Sequence, residues 1–402
     1  MIIILVLVIS AVSLYMVIDY RGPKKILLQK ARIFSLTCQR AGELIAQEYD
    51  SEGNLWASRG MILYRLQKGD NKFMRMAHVP TGFSFYWLSN FSLFRKFINK
   101  PECVEATITG EGHICALSAG FMWHRNSEGN KFVKTLKLRH YGFGTGRGIL
   151  SNGLLSVNGN HLYFGEYFRN SERSDVLIYL SKDNGRSWDI AHKFDPGIIR
   201  HIHALQKDPY TGLLWFCTGD EDSEAMIGWS DNGFRSINII GKGKKSWRTE
   251  QLVFTEEAVY WGADTGSIDL AGIYRWDKLS EKTTKLYKSD GAILYGTRLA
   301  GGSMVFSTDR EGFPNEKDKK TSLIVVDPDH KIRKLEMGTW KHQKRNFRFS
   351  FAMLRMQRNQ GNYPLTISVI NQKEFSAGDM LIFQEANISE SLEKDHNADA
   401  GS

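Results

Sequence analysis

Cysteine is scarce in this chain: four in 402 residues, Cys38, Cys103, Cys115 and Cys217. They are too few for a disulfide scaffold and show no metal-ligand spacing, so they read as buried free thiols. A zinc finger, an RNA-binding signature and an Arg-rich arm are also missing. The net charge of +9, from 53 basic against 44 acidic residues, therefore does not point to nucleic acid. It favours other anions, such as lipid head groups or an acidic polysaccharide, or it is simply a solvated basic surface. Residues 389–402 contain no aromatic side chain and are expected to form a disordered tail. The remainder is a different material: at 42% hydrophobic and 12% aromatic overall, the chain can fill a large core.

No Lys or Arg precedes the apolar run from Met1 to Ile18, and the run holds only a poor small-x-small cleavage match, Ala11-Val12-Ser13. A signal peptide needs both features, so an uncleaved transmembrane helix over residues 1–20 is expected, with membrane lipid as its partner. Arg21, Lys24, Lys25, Lys30 and Arg32 follow it. By the positive-inside rule they leave the soluble domain on the cytoplasmic side. Residues 21–50 are then either a basic juxtamembrane segment, helical against the membrane, or a strand that closes a later ring. The soluble domain spans 51–388.

Ser181-Lys182-Asp183-Asn184-Gly185-Arg186-Ser187-Trp188 lies between two β-type runs. Gly185 accepts positive φ and Asp183 can bond backbone amides, which predicts a tight hairpin turn. Around it one register recurs. Apolar strands end in small residues and an acid at Glu166, Asp220, Asp264 and Asp309, spaced 54, 44 and 45 residues apart. Each acid is followed by a loop, a second apolar strand and a turn, the second such turn being Ser230-Asp231-Asn232-Gly233. There the Ser stands one residue too close to the Asp and no Trp follows. Weaker copies begin near Leu55, Ile114 and Leu365. The period is that of a propeller blade, and the count is seven, with six as the alternative. The aromatic stretch 83–97 reads as an excursion between blades.

In a propeller the starts of the innermost strands converge on the axis. Here those starts carry Arg147, Arg200, His201, His203, Arg248, Glu250, Tyr295 and Arg298. Together they suggest a cationic, hydrogen-bonding funnel suited to a carboxylated sugar. His201 and His203 share one strand face, with Cα atoms about 6.6 Å apart. They can act as acid and base, bind substrate, hold a metal or bond structure; no further ligand cluster is visible, so no metal and no cofactor are assigned. The recurring acids read first as blade-defining acceptors, with Asp220 the one to test for chemistry.

From about residue 140 to 310 the chain resembles the sialidase-like (BNR/Asp-box) β-propeller family of glycosyl-hydrolase-like proteins. The resemblance is carried by the Ser181–Trp188 box and by Leu162-Tyr163-Phe164-Gly165-Glu166, Arg200-His201-Ile202-His203, Thr218-Gly219-Asp220, Tyr260-Trp261-Gly262-Ala263-Asp264 and Tyr295-Gly296-Thr297-Arg298. It implies an all-β fold and a site at the end of the blade away from the Asp box. By analogy with sialidases it implies Arg147, Arg248 and Arg298 on the substrate carboxylate and Tyr295, activated by Glu250, as nucleophile. The Arg-Ile-Pro motif that opens a sialidase site is absent; the nearest text is His78-Val79-Pro80. Propeller polysaccharide lyases offer a second precedent, in which His201, His203 or Tyr295 is the base and an arginine neutralises a uronate. The expectation is a membrane-anchored, carbohydrate-active propeller that binds or cleaves an acidic glycan. The alternative is a non-catalytic propeller scaffold in a membrane-bound polysaccharide assembly complex.

Overall fold

The structure is a computed structural model that describes residues 20–81, 88–98, 104–142, 146, 150, 152–157, 159–341, 351–376 and 378–389. The expected anchor, Arg147 and most of the expected tail lie outside these residues. Among the described residues no helix is long and apolar enough to cross a membrane.

The strands form seven antiparallel sheets arranged as blades. Blade I is Ile45–Tyr49, Leu55–Arg59, Ile62–Leu66 and Lys72–His78; blade II is Glu105–Ile108, Ile114–Ser118, Phe121–Arg125 and Val133–Lys137. Blade III is Leu154–Val157, His161–Gly165, Val176–Ser181 and Asp189–Phe194; blade IV is His201–Lys207, Leu214–Gly219, Met226–Ser230 and Asn238–Lys242. Blade V is Leu252–Phe254, Ala258–Gly262, Gly272–Asp277 and Thr283–Lys288; blade VI is Ile293–Arg298, Met304–Thr308, Lys320–Val326 and Ile332–Thr339. Blade VII takes Met353–Met356, Leu365–Ile370 and Asp379–Phe383 from the end of the chain and its fourth strand, Leu36–Ala41, from the beginning. The stretch 83–97 falls between blades I and II and includes the short helix Ser92–Ile98, with 82–87 outside the described residues.

The ring is shut through backbone pairing of Gln39, Arg40 and Ala41 with Ile382, Leu381 and Met380. Just before it, Lys25–Leu27 adds a fifth strand to blade I and Gln29–Ile33 a fifth to blade VII. Residues 25–41 are thus extended rather than helical, and they strap the outer edges of two neighbouring blades together. Closure matters because an unpaired edge at Asp379–Phe383 would be a template for other chains.

Both faces of each blade are covered, which explains why the middle strands read as continuous apolar runs rather than alternating ones. The buried side chains gather into seven clusters, one at each blade–blade interface. Trp215, Trp261 and Leu252, for example, join blades IV and V, while Leu36, Leu354 and Leu323 join VII and VI.

The Ser181–Trp188 segment links the third and fourth strands of blade III, at the outer side of the ring. Ser181 Oγ accepts from the Gly185 amide at 2.7 Å, and Asp183 Oδ1 accepts from the Ser187 amide at 2.9 Å. In blade IV the same bonds run from the Phe234 amide to Ser230 Oγ, 2.8 Å, and from the Ser236 amide to Asn232 Oδ1, 3.0 Å. The second turn is therefore in full register, with Asn232 in the place of the acid and Phe234, at φ 67°, in the place of Gly185. The sequence misaligns it because Asp231 draws the eye one residue too early.

Candidate functional site

The first strand of each blade begins, and the second strand ends, on one face of the ring. Seven such ends, in blades III to VI, bring titratable side chains together there: Tyr167, His201 with Asp220, Arg248 with Glu250, Asp264, and Tyr295 with Asp309 and Glu311.

Register explains the tightest group. His201 pairs with Gly219, so Asp220, the next residue, stands beside it. A bulge falls at His203, between Ile202 and Ala204. Bulges re-aim side chains, and this one draws the two imidazoles together: Nε2 of His201 is 3.1 Å from Nε2 of His203. Asp220 Oδ1 lies 3.6 Å from the first and 3.5 Å from the second. Asp220 Oδ2 accepts from Arg200 Nη1 at 2.6 Å. The Tyr167 ring packs on His201 with centroids 4.3 Å apart. The sequence shows no third ligand beside the histidines because Asp220 is 17 residues away along the chain and adjacent only across the sheet. That expectation is corrected: a cluster with three candidate metal-ligating side chains is present.

The arginines do not form the free set expected from the sequence. Arg248 Nη2 sits 2.9 Å from Asp264 and 3.3 Å from Asp220. Arg298 is the last residue of the strand that begins at Ile293, so it emerges at the opposite end, about 16 Å along the blade. There it lines a different cavity with Tyr260, Arg275 and His330. The strand begins at Ile293, two residues before the Tyr295 with which the sequence opens it, so Arg298 lies at the end opposite to the one expected. Arg147 lies outside the described residues.

Carboxyl groups crowd the rest of the site. Burial pushes Glu250 up to about 7, reinforced by Asp264, and its carboxyl is hydrogen-bonded to the Tyr295 hydroxyl. Burial likewise pushes Glu311 up to about 8, again with Asp264 adding to it. Asp309 is driven well up by burial and then by Glu311 and Glu250. Asp220 goes the other way: burial works to raise it, but its contacts with His201 and His203 outweigh that and lower it. His201 is pushed down, chiefly by burial, and is a neutral imidazole near neutral pH. Two carboxyl groups, Asp220 and Asp264, thus face two guanidinium groups, Arg200 and Arg248, with the raised acids beside them. Glu166, the fourth recurring acid, is structural: it accepts from the Leu177 amide at 2.9 Å and pairs with Arg139 at 2.6 Å.

Of the residues singled out from the sequence, the structure brings together His201, His203, Asp220, Arg248, Glu250 and Tyr295. Sequence reasoning passed over Tyr167 and Glu311, which follow strand-ending acids by one and two residues, and left Arg200, already visible at a strand start, unassigned. A second cavity, of about 310 Å³, is lined by inner-strand residues of blades I, II, III, IV and VII, among them Gln206 and Arg358. The charge of Arg358 is already matched by Glu48 and Glu105, each at 3.0 Å.

No family model matches the chain, and no curated protein matches it in sequence. Solved structures do. An oligogalacturonate lyase in complex with manganese is similar at 7% identity with a TM-score of 0.54, over 90% of this chain and 98% of that one. YCF48 from Cyanidioschyzon merolae is similar at 10% identity and a TM-score of 0.50, over 90% and 99%. An ancestral GH74 enzyme matches at 9% identity and a TM-score of 0.49, over 86% of this chain but 45% of its own. The chain likewise spans 39% of the extracellular domain of a one-component system from B. thetaiotaomicron, at 11% identity and a TM-score of 0.46. The likenesses to the lyase and to YCF48 extend over almost the whole length of both partners and establish a fold: this chain is a seven-bladed β-propeller.

Proposed function

We propose that the protein is a carbohydrate-active propeller that binds an acidic glycan on the face carrying His201 and Asp220 and cleaves it by acid–base chemistry. The observation that carries this reading is the buried Glu250–Tyr295 pair beside two further raised acids and an Asp264 paired with Arg248. A carboxylic acid that keeps its proton near neutral pH can protonate a glycosidic oxygen, and an ionised carboxylate nearby serves as base or stabilises a cationic transition state. Glu250 is the acid in this scheme and Tyr295 the group it positions. Tyr167, packed on His201, forms the wall on which the sugar rests.

Elimination next to a uronate is the second reading, favoured by His201, whose neutral imidazole is able to accept a proton. The sialidase-like arginine arrangement is not part of either, since Arg248 is paired and Arg298 lies at the other end. The anchor over residues 1–20 and the cytoplasmic placement belong to the proposal as well, and reporter fusions at the C-terminus test them.

Incubation of the purified chain with homogalacturonan, alginate and sialosides tests the function. New reducing ends without an unsaturated product indicate hydrolysis; unsaturated ends indicate elimination. If no polymer is bound or cut, and Glu250→Gln changes nothing, the scaffold reading replaces this one.

A further inference from the structure

We propose that His201, His203 and Asp220 form a binding site for one divalent transition-metal ion, and that this ion is the cation that meets the glycan's carboxylate. The inference deepens the function proposed above and rests on it for the substrate, but the metal site itself stands on geometry.

The two Nε2 atoms and Asp220 Oδ1 form a triangle with edges of 3.1, 3.5 and 3.6 Å. Ligands roughly 2.0–2.2 Å from one metal ion lie about 3.0–3.5 Å from each other, whether the arrangement is tetrahedral or octahedral. The triangle therefore has the size of one face of a coordination shell.

The lone pairs of the triangle follow from its neighbours. The Nδ1 of His201 is 2.7 Å from the Phe168 carbonyl, which can only accept, so the ring proton sits on Nδ1 and Nε2 presents a lone pair. Asp220 Oδ1 faces both imidazoles, with Arg248 Nη2 3.3 Å from the same oxygen. His203 can supply one proton from Nε2, to His201 Nε2 or to Asp220 Oδ1. Its own Nδ1 is buried and has no hydrogen-bond partner among the described residues. Both imidazoles are almost wholly buried, at 4% and 2% exposure. Three potential ligand atoms thus converge on one place.

The surroundings are those of an outer ligand shell. The Phe168 carbonyl fixes the tautomer of His201, Arg200 holds the other oxygen of Asp220, and the Tyr167 ring fixes the plane of His201. Two imidazoles and one carboxylate favour zinc, manganese or iron(II) over magnesium or calcium.

The charge balance supplies the link to function. Arg200 and Arg248 are matched by Asp220 and Asp264, so the arginines leave no excess positive charge for an anionic sugar. A divalent ion on a set containing a single carboxylate restores that excess and keeps positions open for a uronate oxygen and water.

The alternative occupant is a second proton, making one imidazole an imidazolium. Metal binding separates the two cases. The full chain, stripped with a chelator and dialysed against zinc, is expected to retain about one equivalent, and cobalt(II) in its place is expected to show visible absorption bands of nitrogen–oxygen coordination. His203→Gln and Asp220→Asn should each weaken retention by more than about 10-fold while the denaturation midpoint shows the fold intact. If either variant unfolds, the wild-type stoichiometry and cobalt spectrum decide alone. Retention of under about a tenth of an equivalent of zinc, manganese and cobalt, or full retention by a folded His203→Gln, overturns the site. Homogalacturonan binding is measured in parallel with and without chelator. Metal bound without glycan binding leaves the site standing and removes the function; glycan bound equally well with no metal retained does the reverse.

Discussion

Arg358 follows the inner strand of blade VII and reaches across the seam where the ring closes. Its guanidinium lies 3.0 Å from Glu48 of blade I and 3.0 Å from Glu105 of blade II, and it also donates to the Ala106 carbonyl. Glu105 has no measurable exposure. Arg358→Met keeps a similar stem and removes the charge, leaving a buried carboxylate without its cation. Breaking a buried pair from one side costs about 3–5 kcal/mol, far more than the pair contributes against an apolar substitute. Glu48 retains Thr107 Oγ1 and the Ile108 amide, so most of the loss is expected at Glu105.

The deficit should also depend on pH with a definite sign. Burial raises the Glu105 carboxyl even in the intact protein, opposed by Arg358 and Arg355. Without Arg358 it rises further. A carboxyl whose folded value exceeds its unfolded one stabilises the fold below the unfolded value, and this is lost as pH rises through the folded one. The variant is therefore least stable relative to wild type at about pH 8, and the deficit shrinks as the pH is lowered towards about 5. Urea unfolding of both proteins at the two pH values reads this directly. A deficit under about 1 kcal/mol, or one independent of pH, would refute the argument. Adding Glu105→Gln to Arg358→Met should return most of the loss, because the coupled pair is then removed together.

Deleting residues 29–41 should turn a monodisperse protein into aggregates on size-exclusion chromatography, since it uncovers the Asp379–Phe383 edge and removes Leu36 and Cys38 from the blade VI–VII core; a monodisperse deletion variant would contradict the closure. Ser181→Ala and Ser230→Ala should each cost about 1–2 kcal/mol in denaturant unfolding, because each strands a buried turn amide; a neutral Ser230→Ala would show that the second turn is not equivalent to the first. If Glu250 is the general acid, glycan cleavage should fall as pH rises through about 7, and Glu250→Gln should lower kcat by about 100-fold or more and abolish that limb; an unchanged pH profile excludes Glu250 from the chemistry.

The blade repeat was largely legible in the sequence because it is written in local, repeated terms, whereas closure, which pairs residues 39–41 with 380–382, left residues 21–50 open between helix and strand. Small residues and an acid end the second strand in four blades, and a polar turn precedes the fourth; both recur at blade spacing. Gly185 and Ser181 name their turn because backbone geometry and one hydroxyl suffice to make it. The site was legible only in part, and the physical reason is that its contacts run across strands and between blades. His201 and His203 are conspicuous along the chain, but the bulge that turns their Nε2 atoms together and the register that brings Asp220 beside them exist only once blade IV is formed. Arg298 shows the same limit from the other side. A shift of two residues in where a strand starts moved it to the wrong end of the blade, although its identity was never in doubt. What the sequence by itself determined is the repeated strand-and-turn pattern that makes a ring of blades. What only the tertiary structure decided is which charges meet on its face, that the arginines there are already paired, and that three potential ligand atoms converge where the sequence showed only two histidines.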